Sequence, residues 1–288
     1  MQVASIARHP PAIILNSSTK ILEAIKMLSI KNVRHAIVSN NGIKINGIVS
    51  AKDIIRYIGK NINQIPKALN SSIELIMNRN PIIANKNDEL PDLINLMIKN
   101  DIGFLPLLDE ESKIWGSLSE RHLFKLFVEY PTFIRVSEIM SKPLIKLDVK
   151  ATILDVLNLM ISENIRRVPL MKDNKIWGIV TIKDLIKFFA SNYLENLLNE
   201  ELFNYILYTS SCKIAKQNPK TINPEADLSI AVKIMKENDI GSLIVISEDK
   251  PIGIITERDF LLKVPNLNGV DFITDLNKKR VIIGRIHF

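Results

Sequence analysis

The chain has 288 residues, 47% hydrophobic and 24% charged, with a formal net charge of +7. That balance predicts a soluble globular protein with room for two ordinary domains. No apolar run approaches the roughly 18 to 20 residues of a membrane span, and the opening MQVASIARHPPAIIL lacks the order of a signal peptide, so no membrane partner and a cytoplasmic location are expected. One cysteine, Cys212, excludes an intramolecular disulfide framework and a cysteine-rich zinc site, and four scattered histidines offer no H-x-x-x-H spacing. The positive charge raises nucleic acid as a partner, because Lys and Arg neutralise phosphate. The basic residues are dispersed, however, with Lys278-Lys279-Arg280 the longest cluster, a pattern that fits a solvated surface better than a binding stripe.

In chain order, one set of elements returns four times. The first copy has Val3 to Ile6, Pro10, a helical pattern over Leu22 to Leu28, a strand over Ala36 to Val38, and Gly47. The second has Ile73 to Met77, Pro81, a helix over Leu90 to Ile98, a strand over Leu105 to Leu108, and Gly116. The third is the fullest. Val136 to Met140 leads through Pro143 to an apolar strand over Leu144 to Leu147, then a helix carrying Ile153, Val156, Leu157 and Met160 with Thr152 as N-cap. Strands over Arg167 to Met171 and Ile176 to Val180 flank the turn Lys172 to Lys175, and Ile182 to Phe189 forms a second helix. Between the third and fourth copies, Leu194, Leu197, Leu198, Leu202 and Tyr205 share a helical face and predict an inserted helix. The fourth copy has Ile214, Pro219, an Asp227 cap, a helix over Leu228 to Met235, a strand over Leu243 to Ile246, and Gly253. Val270 to Ile273 and Arg280 to Ile286 then look like the opening of a further unit that stops.

Each copy ends on one phrase: Gly47-Ile48-Val49-Ser50-Ala51-Lys52-Asp53, Gly116 to His122, Gly178 to Asp184, and Gly253 to Asp259. The element order, the P-h-h-h strand and this G-h-h-[ST]-x-x-D ending resemble the CBS domain, named for cystathionine beta-synthase. The resemblance covers roughly residues 3 to 263. It implies an α/β fold of four tandem CBS repeats, each strand-helix-strand-strand-helix, paired into two Bateman modules in a disc like the gamma subunit of AMP-activated protein kinase. The expected boundaries are 1–60, 70–130, 131–190 and 212–264 for the repeats, 191–211 for a helical connector and 265–288 for a tail. Residues 131–136 read as a short bridge, so repeats one and two are expected to share one core and three and four another.

The ending phrase supports two readings. Ser50, Ser119, Thr181 and Thr256 sit where an N-cap hydroxyl satisfies a helix N–H, and an acid three residues on suits the helix dipole. The same groups suit a nucleotide, since a hydroxyl at a helix start can reach phosphate and a short carboxylate can accept from a ribose diol. The CBS resemblance implies that second use, with Ser or Thr on phosphate and Asp on ribose, at Ser50 with Asp53, Thr181 with Asp184, and Thr256 with Asp259. At the start of the second strand stand Arg34 and His35, Gly103 and Phe104, Arg166 and Arg167, and Gly241 and Ser242. Basic residues for phosphate therefore occur in repeats one and three, although strand alternation aims at most one of each pair at a given site. Repeat four draws local charge only from Lys250 or Arg258, and repeat two has His122 in place of the acid. Gly103 and Gly241 leave space for a backbone to approach a ligand. Ile145, Val168 and Ile179 are candidates for an apolar adenine slot or for plain core packing.

No G-x-S-x-G elbow, P-loop, paired carboxylate with a base, or Cys with a nearby His is present, so no enzyme activity and no catalytic cofactor are expected. The expected function is a regulatory sensor of adenine nucleotides, AMP, ADP or ATP, with S-adenosyl compounds sharing the same ribose and adenine. A homodimer or a regulated partner protein would receive the signal. At most three nucleotides are expected per chain, with repeat three tightest and repeat four weakest. The alternatives are a nucleic-acid-associated regulator and a structural dimerisation platform in which the clamp residues are helix caps only.

Overall fold

The computed structural model describes residues 2–127, 132–191 and 207–268. The expected inserted helix at Leu194 to Tyr205, the tail segments beyond 268 and Pro131 of the bridge lie outside the described residues.

Every repeat forms a small sheet in which a two-residue strand runs parallel to the first arm of a hairpin. In repeat one, β1 (Ile14–Leu15) lies beside β2 (His35–Val38), which pairs antiparallel with β3 (Gly47–Ser50). Repeat two repeats this with β4 (Ala84–Asn85), β5 (Phe104–Leu108) and β6 (Ile114–Ser119). Repeat three has β7 (Leu147–Asp148), β8 (Arg167–Lys172) and β9 (Lys175–Thr181), with β10 (Lys216–Gln217) added antiparallel to β9. Repeat four has β11 (Thr221–Ile222), β12 (Ser242–Ser247) and β13 (Lys250–Thr256). The expected strand at Leu144 to Leu147 thus enters the ladder only at its end, the rest of the apolar run serving as a connection.

The helices over 21–30, 90–99, 153–162, 182–189 and 228–237 match predicted ones, whereas those over 65–70 and 136–139 are not among the expected elements. In chain order the helices are α1 (Ile21–Ile30), α2 (Ala51–Lys60), α3 (Ile65–Asn70), α4 (Leu90–Lys99), α5 (Glu120–Phe124), α6 (Val136–Ile139), α7 (Ile153–Ser162), α8 (Ile182–Phe189), α9 (Leu228–Glu237) and α10 (Glu257–Asn268). Thr152 caps α7, its hydroxyl accepting from Asp155 N at 3.1 Å, and Asp227 caps α9, accepting from Ser229 N at 2.8 Å.

The chain divides into two compact units, one of residues 1–10, 82–144 and 220–288, the other of 11–81 and 145–219. It changes unit beside Pro10, Pro81, Pro143 and Pro219, the prolines that mark each repeat in the sequence. The segment preceding each proline therefore leaves its own repeat and docks on a neighbour. Arg8 and Ser117 exchange two backbone hydrogen bonds at 2.9 and 3.0 Å, so the lead-in of repeat one lies on repeat two. In return the lead-in of repeat two lies on repeat one through Ile48 and Asn78, at 3.0 and 2.9 Å. Repeats three and four make the same exchange through Ser141 with Ile254 and Lys216 with Ile179.

This docking accounts for the glycine of the repeated phrase. A Cβ on Gly47 would stand 2.7 Å from the Asn78 carbonyl oxygen, one on Gly253 2.8 Å from that of Ser141, and one on Gly178 3.0 Å from that of Lys216. At Gly116 the Arg8 carbonyl is closer still. Only a residue without a side chain lets the lead-in reach hydrogen-bonding distance.

The hydrophobic cores correct one expectation. Ile21, Ile25, Val49 and Ile54 of repeat one cluster with Ile153, Leu157, Val180 and Phe189 of repeat three. Leu90, Ile94, Leu118 and Phe127 of repeat two cluster with Leu228, Val232, Val245 and Phe260 of repeat four. Among the described residues, the two clusters therefore join repeat one with three and repeat two with four, rather than one with two and three with four. Helix faces bury most area against other helices, and here those faces meet across alternate repeats.

Candidate functional site

The four phrase endings have one geometry. Ser50, Ser119, Thr181 and Thr256 close their strands directly opposite His35, Phe104, Arg167 and Ser242. The preceding residue uses its carbonyl to hold the next helix: Ala51 N donates to Arg34 O at 2.8 Å, Glu120 N to Gly103 O at 3.1 Å, Ile182 N to Arg166 O at 2.9 Å, and Glu257 N to Gly241 O at 3.2 Å. The first residue of each aligned pair is thus a backbone anchor, and the second starts the strand. Arg34, His35, Arg166 and Arg167 are all half-buried rather than exposed.

The carboxylates form capping boxes. Asp53 Oδ2 accepts from Ser50 N at 2.9 Å and Ser50 Oγ at 2.7 Å. Asp184 Oδ2 accepts from Thr181 N at 2.8 Å and Thr181 Oγ1 at 2.6 Å, and Asp259 Oδ2 from Thr256 N and Oγ1 at 2.8 and 2.7 Å. These bonds meet the helix-start requirement in full. The other carboxylate oxygen differs between repeats. Among the described residues, every hydrogen bond to the carboxylates of Asp53 and Asp184 ends on Oδ2, and Oδ1 of each stands outside the capping box. Asp184 is only 7% exposed, a setting in which an added hydrogen bond to the charged form counts strongly.

Repeat two keeps the cap with a different residue. His122 Nδ1 accepts from Ser119 N at 3.1 Å, which places its proton on Nε2. Burial, then the charges of Lys125, Arg8 and Arg121, hold its pKa down at about 4 against a partial offset from Glu257, so the ring is neutral near pH 7.

Three expectations for repeats two and four are corrected. Arg258 is not a spare cation, because its guanidinium pairs with Glu120 at 2.6 Å and with Asp101. Arg121 makes the reciprocal pairs with Glu257 at 3.3 Å and with Asp239. Lys250 opens β13 while Thr256 closes it, roughly 20 Å away at 3.4 Å per residue. The space at Gly103 is filled, since a Cβ there would lie 2.5 Å from Glu120 Oε1. Glu120 and Glu257 are each 2% exposed, and sequence reasoning missed both. A signal existed: Glu-Arg opens the helix in repeats two and four, where repeats one and three have Ala51-Lys52 and Ile182-Lys183. Of the adenine-slot candidates, Val168 belongs to the shared core, whereas Ile179, though buried, and half-buried Ile145 belong to neither core. Cys212 lies in a lead-in turn with its thiol donating to Val149 O at 3.1 Å.

Four sheets of this topology, each ending in a capped Gly-to-Asp or Gly-to-His turn, define a protein built of tandem CBS repeats. The CBS domain family matches residues 3–60, 72–129, 136–191 and 212–266, and the chain belongs to that family. An uncharacterized 33.4 kDa protein from the ribosomal RNA operon of Thermofilum pendens is 30% identical over 98% of both chains. Protein MJ1225 of Methanocaldococcus jannaschii is 25% identical over 91% of this chain. The crystal structure of MJ1225, described as a candidate archaeal homolog of gamma-AMPK, superimposes with a TM-score of 0.82 at 24% identity, covering 91% of this chain and 99% of that one. A conserved protein of Pyrococcus horikoshii follows with a TM-score of 0.61 at 18% identity, over 92% of this chain and 99% of that one. Among the described residues no helix is long and apolar enough to cross a membrane.

Proposed function

We propose that the chain is a regulatory protein that binds adenine nucleotides reversibly at repeats one and three, without transforming them. One observation carries the reading. Both repeats combine a hydroxyl at a helix start, an aspartate whose Oδ1 stands outside the capping box, and a basic pair opening the neighbouring strand. In repeat three these are Thr181, Asp184 and Arg166 with Arg167; in repeat one, Ser50, Asp53 and Arg34 with His35. A nucleoside monophosphate presents complementary groups, a diol whose hydroxyls donate to the carboxylate and an anion to meet the basic side chains. Binding at sites joined to a shared core would shift the stability of that unit and hence its affinity for a protein partner.

A melting-temperature panel of adenine and guanine nucleotides tests this. AMP, ADP or ATP should stabilise the protein by about 2.7 kcal/mol at a hundredfold excess over Kd. If no nucleotide raises the melting temperature, the repeats are a structural platform and the clamp residues are caps.

A further inference from the structure

Repeat four has the hydroxyl and the acid of a clamp, yet its carboxylate is already occupied from within the chain. Asp259 Oδ1 accepts from Ser141 Oγ at 2.7 Å and is paired with Lys263 Nζ at 2.7 Å, while Oδ2 serves the cap. Lys263 is held there by the lead-in of repeat three, donating to Ile139 O at 2.8 Å, Met140 O at 3.3 Å and Ser141 Oγ at 3.2 Å. Asp259 is buried, at 5% exposure, whereas the Lys263 side chain that covers it keeps 38% of its surface exposed.

The residue four beyond the acid decides the difference. On a helix that residue lies beside the acid on the same face. It is Tyr57 in repeat one and Phe188 in repeat three, neither of which is bonded to the aspartate, and the Tyr57 hydroxyl turns instead to Ser71 at 3.3 Å. The lead-in counterparts of Ser141 are Asn78 and Lys216, and neither is hydrogen-bonded to Asp53 or Asp184 among the described residues. We infer that Lys263 is a specificity-determining residue: its ammonium occupies the position a ribose diol would take on Asp259 and confines nucleotide binding to repeats one and three. This rests on the nucleotide reading of those two repeats, and it lowers the expected occupancy from at most three nucleotides to two. A diol entering repeat four must displace a charge-assisted bond and a hydroxyl bond that share one oxygen, whereas in repeats one and three no described donor holds the Oδ1 it would meet.

Calorimetric titration of AMP into nucleotide-free full-length protein tests the inference. The wild type should saturate at two per chain, Lys263→Met at three, and Lys263→Met with Asp259→Asn at two again. Lys263→Arg, which keeps the cation, should stay at two. Lys263→Gln removes the charge but keeps a polar end for the lead-in carbonyls on a side chain one atom shorter, and supplies the same measurement if the Met variant folds poorly. A wild type that saturates at three, or folded Met and Gln variants that remain at two, would overturn it. If AMP binds neither the wild type nor any variant, the nucleotide reading itself has failed, an outcome distinct from both.

Discussion

At the residue scale, the cap and the proposed ligand contact of Asp184 are separable, because they use different oxygens. Oδ2 accepts from Thr181 N and Oγ1, and Oδ1, which takes no bond from the described residues, is the atom the proposed ribose contact would use. Asp184→Asn retains an oxygen for the Thr181 amide but removes the charge, so AMP affinity should fall by roughly 1.5–3 kcal/mol, about 10- to 150-fold, with little change in the urea midpoint. Asp184→Ala should also lose about 1–3 kcal/mol of stability by stranding the Thr181 N–H, so the two variants together distinguish clamp from cap. His122 makes a pH prediction. Its folded pKa of about 4 lies below the ordinary 6.5, so the stability tied to the neutral ring is complete above about pH 6.5 and is lost as pH falls toward 4. With solvent screening of a half-buried ring, the loss should be on the order of 1–2 kcal/mol. His122→Asn offers an amide oxygen in place of Nδ1, and urea denaturation between pH 7 and 4.5 should show a flatter profile than the wild type. Equal slopes would remove His122 from the account.

At the element scale, the recurrent glycine belongs to docking rather than to ligand. The backbone of each lead-in segment meets the strand at the residue after the glycine, and the Cβ distances leave no room for a side chain. Gly116→Ala should cost about 1–3 kcal/mol through overpacking against the Arg8 carbonyl, lowering the melting temperature by some 2–4 °C per kcal/mol. Hydrogen exchange should localise the damage, with the Arg8 and Ser117 amides losing protection first. Unchanged protection at those two amides would show that the strand yields without releasing the lead-in.

At the scale of the whole molecule, each unit is assembled from distant stretches of chain. Repeat one packs its helices with repeat three, and repeat two with repeat four, while lead-ins pass between repeats one and two and between three and four. A single cut at a protease site engineered after Tyr130 should therefore leave residues 1–130 and 131–288 co-eluting on gel filtration, and urea should be needed to part them. Separation into two independently folded halves in native buffer would contradict the cores described above. The same packing distributes polar roles unevenly. The unit of repeats two and four carries the reciprocal Arg121–Glu257 and Arg258–Glu120 pairs and the Lys263–Asp259 pair, and the unit of repeats one and three carries the two aspartates with an oxygen to spare.

What the sequence by itself determined is local and periodic. Four copies of one phrase established the repeat, helix periodicity located α1, α4, α7 and α9 to within a few residues, and Thr152 and Asp227 were legible as caps because capping depends on neighbours three residues apart. Ser50, Thr181 and Thr256 with their aspartates, and the basic residues confined to repeats one and three, were legible for the same reason. Only the tertiary structure decided which repeats share a core, since an apolar helix face in the sequence does not name the face it meets. It also decided the fate of each side chain whose partner is remote: Arg258 bound to Glu120, Glu120 in the space beside Gly103, and Lys263 with Ser141 on Asp259. Lys263 is four residues from Asp259, yet that spacing alone does not tell an exposed pair from one fixed by a lead-in more than a hundred residues earlier. A carboxylate's availability to a ligand depends on every donor that surrounds it, and those donors are brought together only by the fold.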